Sequence, residues 1–207
     1  MQAYPSISVI IPSWNQGSFI ERTLLSIINQ DYPGSIQVIV SDGGSTDETV
    51  DILKKYDSKI TWWSAKDKGF VDAVMKGAAK ATGEVLAIQS SDDYYLQGAF
   101  KKMASLFHQY PDAGFVCGGE CAIDLSGNIV SVTQPTGEIS PETILFKLIP
   151  AQHSSFIKKE LFEFVSGLQA DVDMCADIDL WYREKKKKKG VYFPDIISAY
   201  QLHPGQR

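Results

Sequence analysis

The stretch SVIIPSWNQGSFIERTLLSIINQDYPGSIQVIVSDGG, Ser8 to Gly44, decides the fold. Its two apolar runs, Ser8–Ile11 and Ile36–Val40, are short and rich in β-branched residues, and they are closed by Pro12 and by Asp42-Gly43-Gly44. Runs of that length bounded by breakers suit strands buried on both faces of a parallel sheet. Between them Ile20, Leu24, Leu25, Ile27 and Ile28 recur at helical spacing, and Tyr32-Pro33-Gly34 stops the helix before the second strand. The stretch is a β-α-β unit.

Moving outward, the pattern repeats. Thr46 or Asp47 caps a helix through Tyr56, Ile60–Trp63 is a strand, Val71–Ala81 a helix and Glu84–Ile88 a strand. This alternation predicts an α/β fold, a mostly parallel, twisted, Rossmann-like sheet flanked by helices, with ligands bound beyond the carboxyl ends of the strands. After Asp93 the regularity weakens. A helix is expected over Gly98–Gln109, a strand around Phe115–Cys121, and a turn at Asp124–Asn128 leading into Ile129–Thr133 as a hairpin. Helices then follow from Pro141 to Leu148, over Lys158–Val165 and over Asp177–Lys187, before a final strand at Val191–Ala199. Antiparallel strands are expected to extend the parallel sheet.

Composition narrows the partners. The 207 residues suit one domain, and 44% hydrophobic with 22% charged residues excludes a disordered or collagen-like chain. A formal charge of -5 argues against nucleic acid as the main partner. No apolar run is long enough for a membrane span, and no basic region leads into a signal core, so the expected location is cytoplasmic. Cys117, Cys121 and Cys175 show no CxxC spacing and are read as small buried thiols.

Three polar segments concentrate carboxylates. SDGGSTDET, Ser41–Thr49, sets Asp42 at a strand end before two glycines, which suits either close approach to a base or ribose, or a turn followed by a helix cap. QSSDDYY, Gln89–Tyr95, places Asp92 beside Asp93; adjacent carboxylates at a sheet edge call for a divalent ion such as Mg2+ or Mn2+, the alternative being a cap on a helix from Leu96. DVDMCADIDLWYR, Asp171–Arg183, puts Asp173 and Asp177 four apart on one face, either to supply a base or to open a solvated helix, while Leu180 and Trp181 point inward. Trp14 is a candidate to stack on a base or sugar, and the adjacent Trp62 and Trp63 face opposite sides of their strand. Lys185–Lys189 reads as a solvated helix end or as a contact to the cytoplasmic face of an anionic membrane.

Taken in order, SVIIPSWNQGSFIERTLLSIINQDYP, VIVSDGGSTDETVDIL, KDKGFVDAVMKGAAKATGEVLAIQSSDDYY and DIDLWYR resemble the inverting nucleotide-sugar glycosyltransferases of family two, with the GT-A fold, from about Ile7 to His203. The resemblance implies one catalytic domain over 1–207, with a nucleotide-binding half to residue 95 and an acceptor-binding half from residue 96. It implies a nucleotide site at Pro12, Ser13, Asn15, Asp42 and Gly43, continued by Asp67, Lys68, Gly69, Asp72 and Lys76, with Phe70 and Val71 departing from the usual polar pair. It further implies Ser91 and Asp92 near the ribose, Asp93 and His203 as metal ligands, and Asp177 as general base. Gln152, His153, Ser154 and Trp181 fall on the acceptor side. The implied reaction is metal-dependent transfer of a hexosyl group from a nucleotide-diphosphate donor, a UDP-sugar first, to a glycan or lipid-linked acceptor, as in surface polysaccharide synthesis. Ser90, Ala176 and Gln201 stand where the family more often has Asp or Asn, an acid, and Arg. These departures keep a degenerate sugar-nucleotide-binding module open as an alternative. A nucleotidyltransferase would want a basic loop near the N-terminus, and Ser13–Ser18 holds no Lys or Arg.

Overall fold

A computed structural model describes residues 4–140, 144, 149–172 and 175–205. Its first half follows the predicted alternation: β1 (Ile7–Ser13), α1 (Gly17–Ile28), β2 (Ile36–Asp42), α2 (Thr49–Lys55), β3 (Thr61–Ser64), α3 (Phe70–Ala78) and β4 (Val85–Ile88). The second half comprises β5 (Tyr94–Tyr95), α4 (Ala99–Gln109), β6 (Ala113–Ile123), β7 (Ile129–Thr133), β8 (Gly137–Ile139), a 3-10 turn at Gln152–Ser154, β9 (Ser155–Lys158), α5 (Lys159–Phe164), α6 (Ala176–Lys185) and β10 (Lys189–Gln201). The helix expected over 141–148 lies outside the described residues except for Ile144, and so does Asp173.

The ten strands of the described residues join one sheet in the order β3-β2-β1-β4-β9-β6-β10-β5, with β7 on β6 and β8 on β10. Period-two alternation fills both faces. Val9, Ile11, Val38, Val40, Val85 and Ala87 pack with Ile20, Leu24 and Ile27 of α1, Leu53 of α2 and Phe100 of α4. Ile10, Ile39, Leu86 and Ile88 pack on the opposite side with Val74 of α3, Leu161 of α5 and Leu180 of α6. The result is three layers, helix on sheet on helix. Gly77 lets α3 lie close to β1, since a Cβ there would stand 2.5 Å from Cγ2 of Ile10.

Strand order fixes where a ligand fits. The chain steps outward from β1 to β2 to β3, and the crossover through α3 then returns it to the far side of β1 as β4. The loops after β1 and β4 therefore diverge, leaving a crevice at the switch point of the sheet.

Beyond β4 the sheet is mixed, as expected. β9 runs antiparallel to both β4 and β6, yet β6 and β10 pair in parallel, which local pattern did not announce. Both are long enough to hold two partners: β9 pairs with Phe115–Cys117 of β6, and β7 with Glu120–Ile123. Two expectations are corrected here. Cys175 is exposed just ahead of α6, whereas Cys117 and Cys121 are buried. Trp181 is only 1% exposed and stacks on Phe115 with ring centroids 5.5 Å apart, so its indole fills the core and is closed off from an acceptor.

Trp181→Ala is expected to lower the unfolding free energy by about 3–5 kcal/mol, the cost of emptying a large buried aromatic site. Urea denaturation reads this directly. Unaltered stability would put the indole back at the surface.

Candidate active site

At the carboxyl ends of β1 and β2 the loops are bound to each other by polar groups. Asn15 takes a left-handed backbone (φ 54°), which places its N–H to donate to Ser45 Oγ at 2.7 Å while its Oδ1 accepts from the Thr46 N–H at 2.8 Å. Asp47 Oδ2 accepts from the Gly17 N–H at 2.9 Å and Oδ1 from the Thr49 N–H at 3.0 Å, tying the starts of α1 and α2 together. Partial burial works against the ionised Asp47, but the hydrogen bonds from Thr49 and Gly17 outweigh it and hold the carboxyl below its ordinary range.

Asp42 has no exposed surface. Its Oδ2 accepts from the N–H groups of Gly44 (3.1 Å) and Ser45 (2.9 Å) and from Ser64 Oγ (2.5 Å), and its Oδ1 accepts from the Ser45 hydroxyl. Asp42 thus shapes the Gly43–Ser45 loop from within, with both oxygens engaged by protein groups. Gly43 lies against Asp67, whose Oδ2 would be 2.9 Å from a Cβ at that position. Asp67 Oδ1 in turn accepts from the Gly69 N–H at 2.9 Å. Asp72 and Lys76 are occupied with one another along α3 at 2.6 Å, and Asp72 also accepts from the Lys68 N–H. Ser13 is buried beside this region, and its hydroxyl has no hydrogen-bond partner among the described residues. Trp14 is exposed in the same loop, and Pro12 is half-buried.

The acidic turn after β4 is the most constrained part of the crevice. Asp92 and Asp93 are 8% and 4% exposed. Their carboxyls diverge. Asp92 Oδ2 meets Nε2 of His203 at 2.9 Å, and the His203 ring stacks on Phe19 of α1 at 4.5 Å. Asp93 turns the other way: its Oδ1 accepts from the Gln201 N–H at 3.1 Å, and its Oδ2 lies 3.8 Å from Nδ1 of His153. The turn aims Asp92 at His203 and Asp93 at β10 and His153, so Asp93 and His203, the two residues expected as metal ligands, are not in direct contact with each other here. Burial pushes the Asp93 carboxyl up to about 6; His153 opposes the shift and Asp92 adds to it.

Backbone oxygens of this turn are anchored from α1. Thr23 Oγ1 donates to the carbonyls of Ser91 (2.9 Å) and Asp93 (2.6 Å), and Arg22 Nη2 donates to the Asp92 carbonyl (3.2 Å) and to Oε1 of Gln201. Ser91, expected near a ribose, is itself 5% exposed.

In the 3-10 turn before β9, Gln152 and His153 are half-buried, but Ser154 is fully buried, donating to the Gly119 carbonyl at 3.2 Å and pairing with the Ser198 hydroxyl. A sugar contact by Ser154 is corrected to a structural role. Asp177 is half-buried in the first turn of α6, where its Oδ1 accepts from the Ile178 N–H at 2.8 Å. The lysine run continues from the other end of that helix, with Lys186 over the Tyr182 ring at 4.2 Å.

Three contributors escaped the sequence reading: Arg22, Thr23 and Glu120. Two of them carried a signal. Thr23 breaks the apolar face of α1, and Glu120 is an acid inside the buried run AGFVCGGECAI. Among the described residues, no three His, Cys, Asp or Glu side chains converge to hold an ion.

A family model described as glycosyl transferase family 2 matches residues 8–163. The GalNAc(5)-diNAcBac-PP-undecaprenol beta-1,3-glucosyltransferase of Campylobacter jejuni is 30% identical over 170 residues, covering 77% of this chain and 53% of its own length. An uncharacterized glycosyltransferase of Rickettsia typhi is 24% identical over 210 residues, 98% of this chain, and the chain spans 65% of that relative's length. Among solved structures, S. aureus TarS 1-349 in complex with UDP-GlcNAc superposes with a TM-score of 0.80 at 20% identity over 97% of this chain and 60% of its own. The mannosyltransferase PcManGT from Pyrobaculum calidifontis, in complex with GDP-Man and Mn2+, gives 0.77 at 20% identity over 98% and 59%. These likenesses show the GT-A fold.

The raised Asp93 carboxyl has a consequence for stability. A carboxyl whose folded pKa of about 6 exceeds its unfolded value favours folding below pH 4 and loses that contribution as the pH rises through 6. Asp93→Asn is therefore expected to raise thermal stability at pH 7.5, by up to about 3 kcal/mol. The gain should shrink as the pH falls toward 4. An equal effect at both pH values in calorimetric melts would show that the Asp93 charge is fully compensated.

Proposed function

The chain belongs to glycosyl transferase family 2, and from that premise we propose that it transfers a sugar from a nucleotide-diphosphate donor, a UDP-sugar first, to a hydroxyl of a glycan or lipid-linked acceptor with inversion at the anomeric carbon. One observation carries the reading: the acidic turn and His203 meet at the switch point of the sheet, where Asp92 and His203 lie 2.9 Å apart. The relatives lend support. The Campylobacter protein is named for a polyprenol-linked acceptor, and the superposed structures hold UDP-GlcNAc in one case and GDP-Man with Mn2+ in the other.

The residues at the turn fit a divalent ion chemically. Carboxylate oxygen and imidazole nitrogen together suit Mn2+. Asp92 and His203 would hold the ion, which when bound supplies neutralising charge for a diphosphate leaving group. The remaining chemistry belongs to the chain. The Ser13 hydroxyl at the end of β1, without a partner among the described residues, offers a hydrogen bond that a nucleotide oxygen would satisfy. Asn15, Asp42 and Asp47 keep the two nucleotide-side loops in one arrangement before a ligand arrives. Asp177 takes the proton of the acceptor hydroxyl as that oxygen bonds to the anomeric carbon, and the carbon–oxygen bond to the diphosphate breaks on the opposite face. Gln152 and His153 border the acceptor entrance.

Calorimetric titration of UDP, GDP and dTDP, with and without Mn2+, tests the donor site. One nucleotide should bind in a metal-dependent manner, and Asp92→Ala should abolish that dependence; binding that ignores both Mn2+ and the substitution would refute the site. Asp177→Asn should keep donor affinity while turnover falls by about 10²–10⁴. Near-normal turnover in that variant would move the base elsewhere.

A further inference from the structure

We infer that Glu120 is a positioning residue, holding the imidazole of His153 against Asp93 and thereby fixing the acidic turn that carries Asp92. The inference rests on the donor-site reading above. Glu120 lies within β6, in a run that is otherwise buried, and its side chain keeps 16% of its exposure. A carboxylate in that setting needs a partner of opposite charge or strong hydrogen-bonding capacity. The partner is His153, whose Nε2 stands 2.6 Å from Glu120 Oε2.

The other ring nitrogen of His153 faces Asp93 Oδ2 at 3.8 Å, so Glu120, His153 and Asp93 form a line from β6 to the turn beyond β4. The imidazole is steadied on every side. Its 3-10 turn is bound to β6 and β10 through Ser154, which donates to the Gly119 carbonyl and pairs with the Ser198 hydroxyl. Gln89, oriented with its amide nitrogen toward the turn, donates to the His153 carbonyl at 3.2 Å and to Tyr95 Oη at 3.1 Å. Tyr200 of β10 lies against the ring at 5.3 Å. What the backbone does not settle is the rotation of the ring and the nitrogen that carries a proton.

A carboxylate at ion-pair distance from the far nitrogen restricts the rotation of the ring. It orients the imidazole and leaves Nδ1 directed at Asp93, the arrangement by which outer carboxylates align histidines around ion sites. Asp93 then has the Gln201 N–H bonded to one oxygen and the imidazole at ion-pair distance, 3.8 Å, from the other. Asp92, one residue before it, is free to face His203. With Gln at position 120, the shape of the side chain is retained and its charge is lost.

The test is calorimetric binding of UDP and of GDP, each with Mn2+ and each in EDTA, to the wild type, Glu120→Gln, Glu120→Asp, His153→Asn and the double variant Glu120→Gln/His153→Asn. Metal-dependent affinity should fall by about tenfold or more in Glu120→Gln, as for removal of an outer-sphere carboxylate, and recover in part in Glu120→Asp. The double variant should be no weaker than His153→Asn alone. Affinity in EDTA should stay unchanged throughout, whereas a merely structural residue would shift both conditions together. Wild-type affinity in Glu120→Gln, or losses from positions 120 and 153 that simply add, would overturn the positioning role and leave the donor site standing. If Glu120→Gln does not fold, Glu120→Asp and His153→Asn carry the comparison, and unchanged metal-dependent affinity in both overturns the role equally. Absence of metal-dependent binding in the wild type would remove the donor-site reading and this inference with it.

Discussion

Two adjacent carboxyl groups, Asp92 and Asp93, sit almost wholly out of water at the end of β4, and the surrounding structure is organised by the cost of keeping negative charge there. Their charges are dealt with separately. One carboxyl meets His203 near the end of the chain, and the other meets a backbone N–H of β10 and the imidazole of His153. The carbonyls of the same turn take donors from Thr23 and Arg22 of α1. Three distant segments are thus recruited to one two-residue sequence, and an unpaired group at any of these contacts would be costly.

That demand gives a reason for the topology beyond the parallel half. β10 has to run along β6 far enough for Gln201 to reach Asp93, and its 13 residues do so; β6, with 11, carries Glu120 to the same level. The short β9 between β4 and β6 brings the 3-10 turn bearing His153 directly onto the carboxyl end of β4. On the other side of the crevice the work is done by short polar bonds between loops: Asp42 grips its own loop and β3, and Asp47 joins α1 to α2. The β1–β2 side of the crevice is built locally and the β6–β10 side from long-range pairings.

This difference explains how much could be read from the residues alone. β1, β2 and β4 were legible because apolar runs ended in breakers, and the helices between them because their apolar residues recurred with the right period. β9 was not, since Ser155–Lys158 passes directly from one turn into a helix and is a strand only by virtue of its partners on either side. The parallel pairing of β6 with β10 is likewise a property of the packed sheet. At the site, the adjacency of Asp92 and Asp93 was visible, but which of them faces His203 is decided by the backbone of a turn. Ser154 read as an available hydroxyl until Ser198, 44 residues away, closed over it. Glu120 escaped notice although it is a charge in an apolar run, and what it pairs with depended on β9.

The three departures from the family pattern can be weighed against the same geometry. Ser90 hydrogen-bonds Asp93 and favours its ionised form, where a third carboxylate would have added to the repulsion already felt by the turn. Ala176 is 2% exposed and packs in the core beneath α6, a place where an acid would need a partner of its own, and the neighbouring Asp177 remains half-buried at the helix start. Gln201 accepts from Arg22, whose guanidinium also covers the Tyr94 ring at 4.4 Å, so a cation stands beside the position from which the family's Arg is missing. In each case the substituted residue is tied into the charge balance or packing around the crevice.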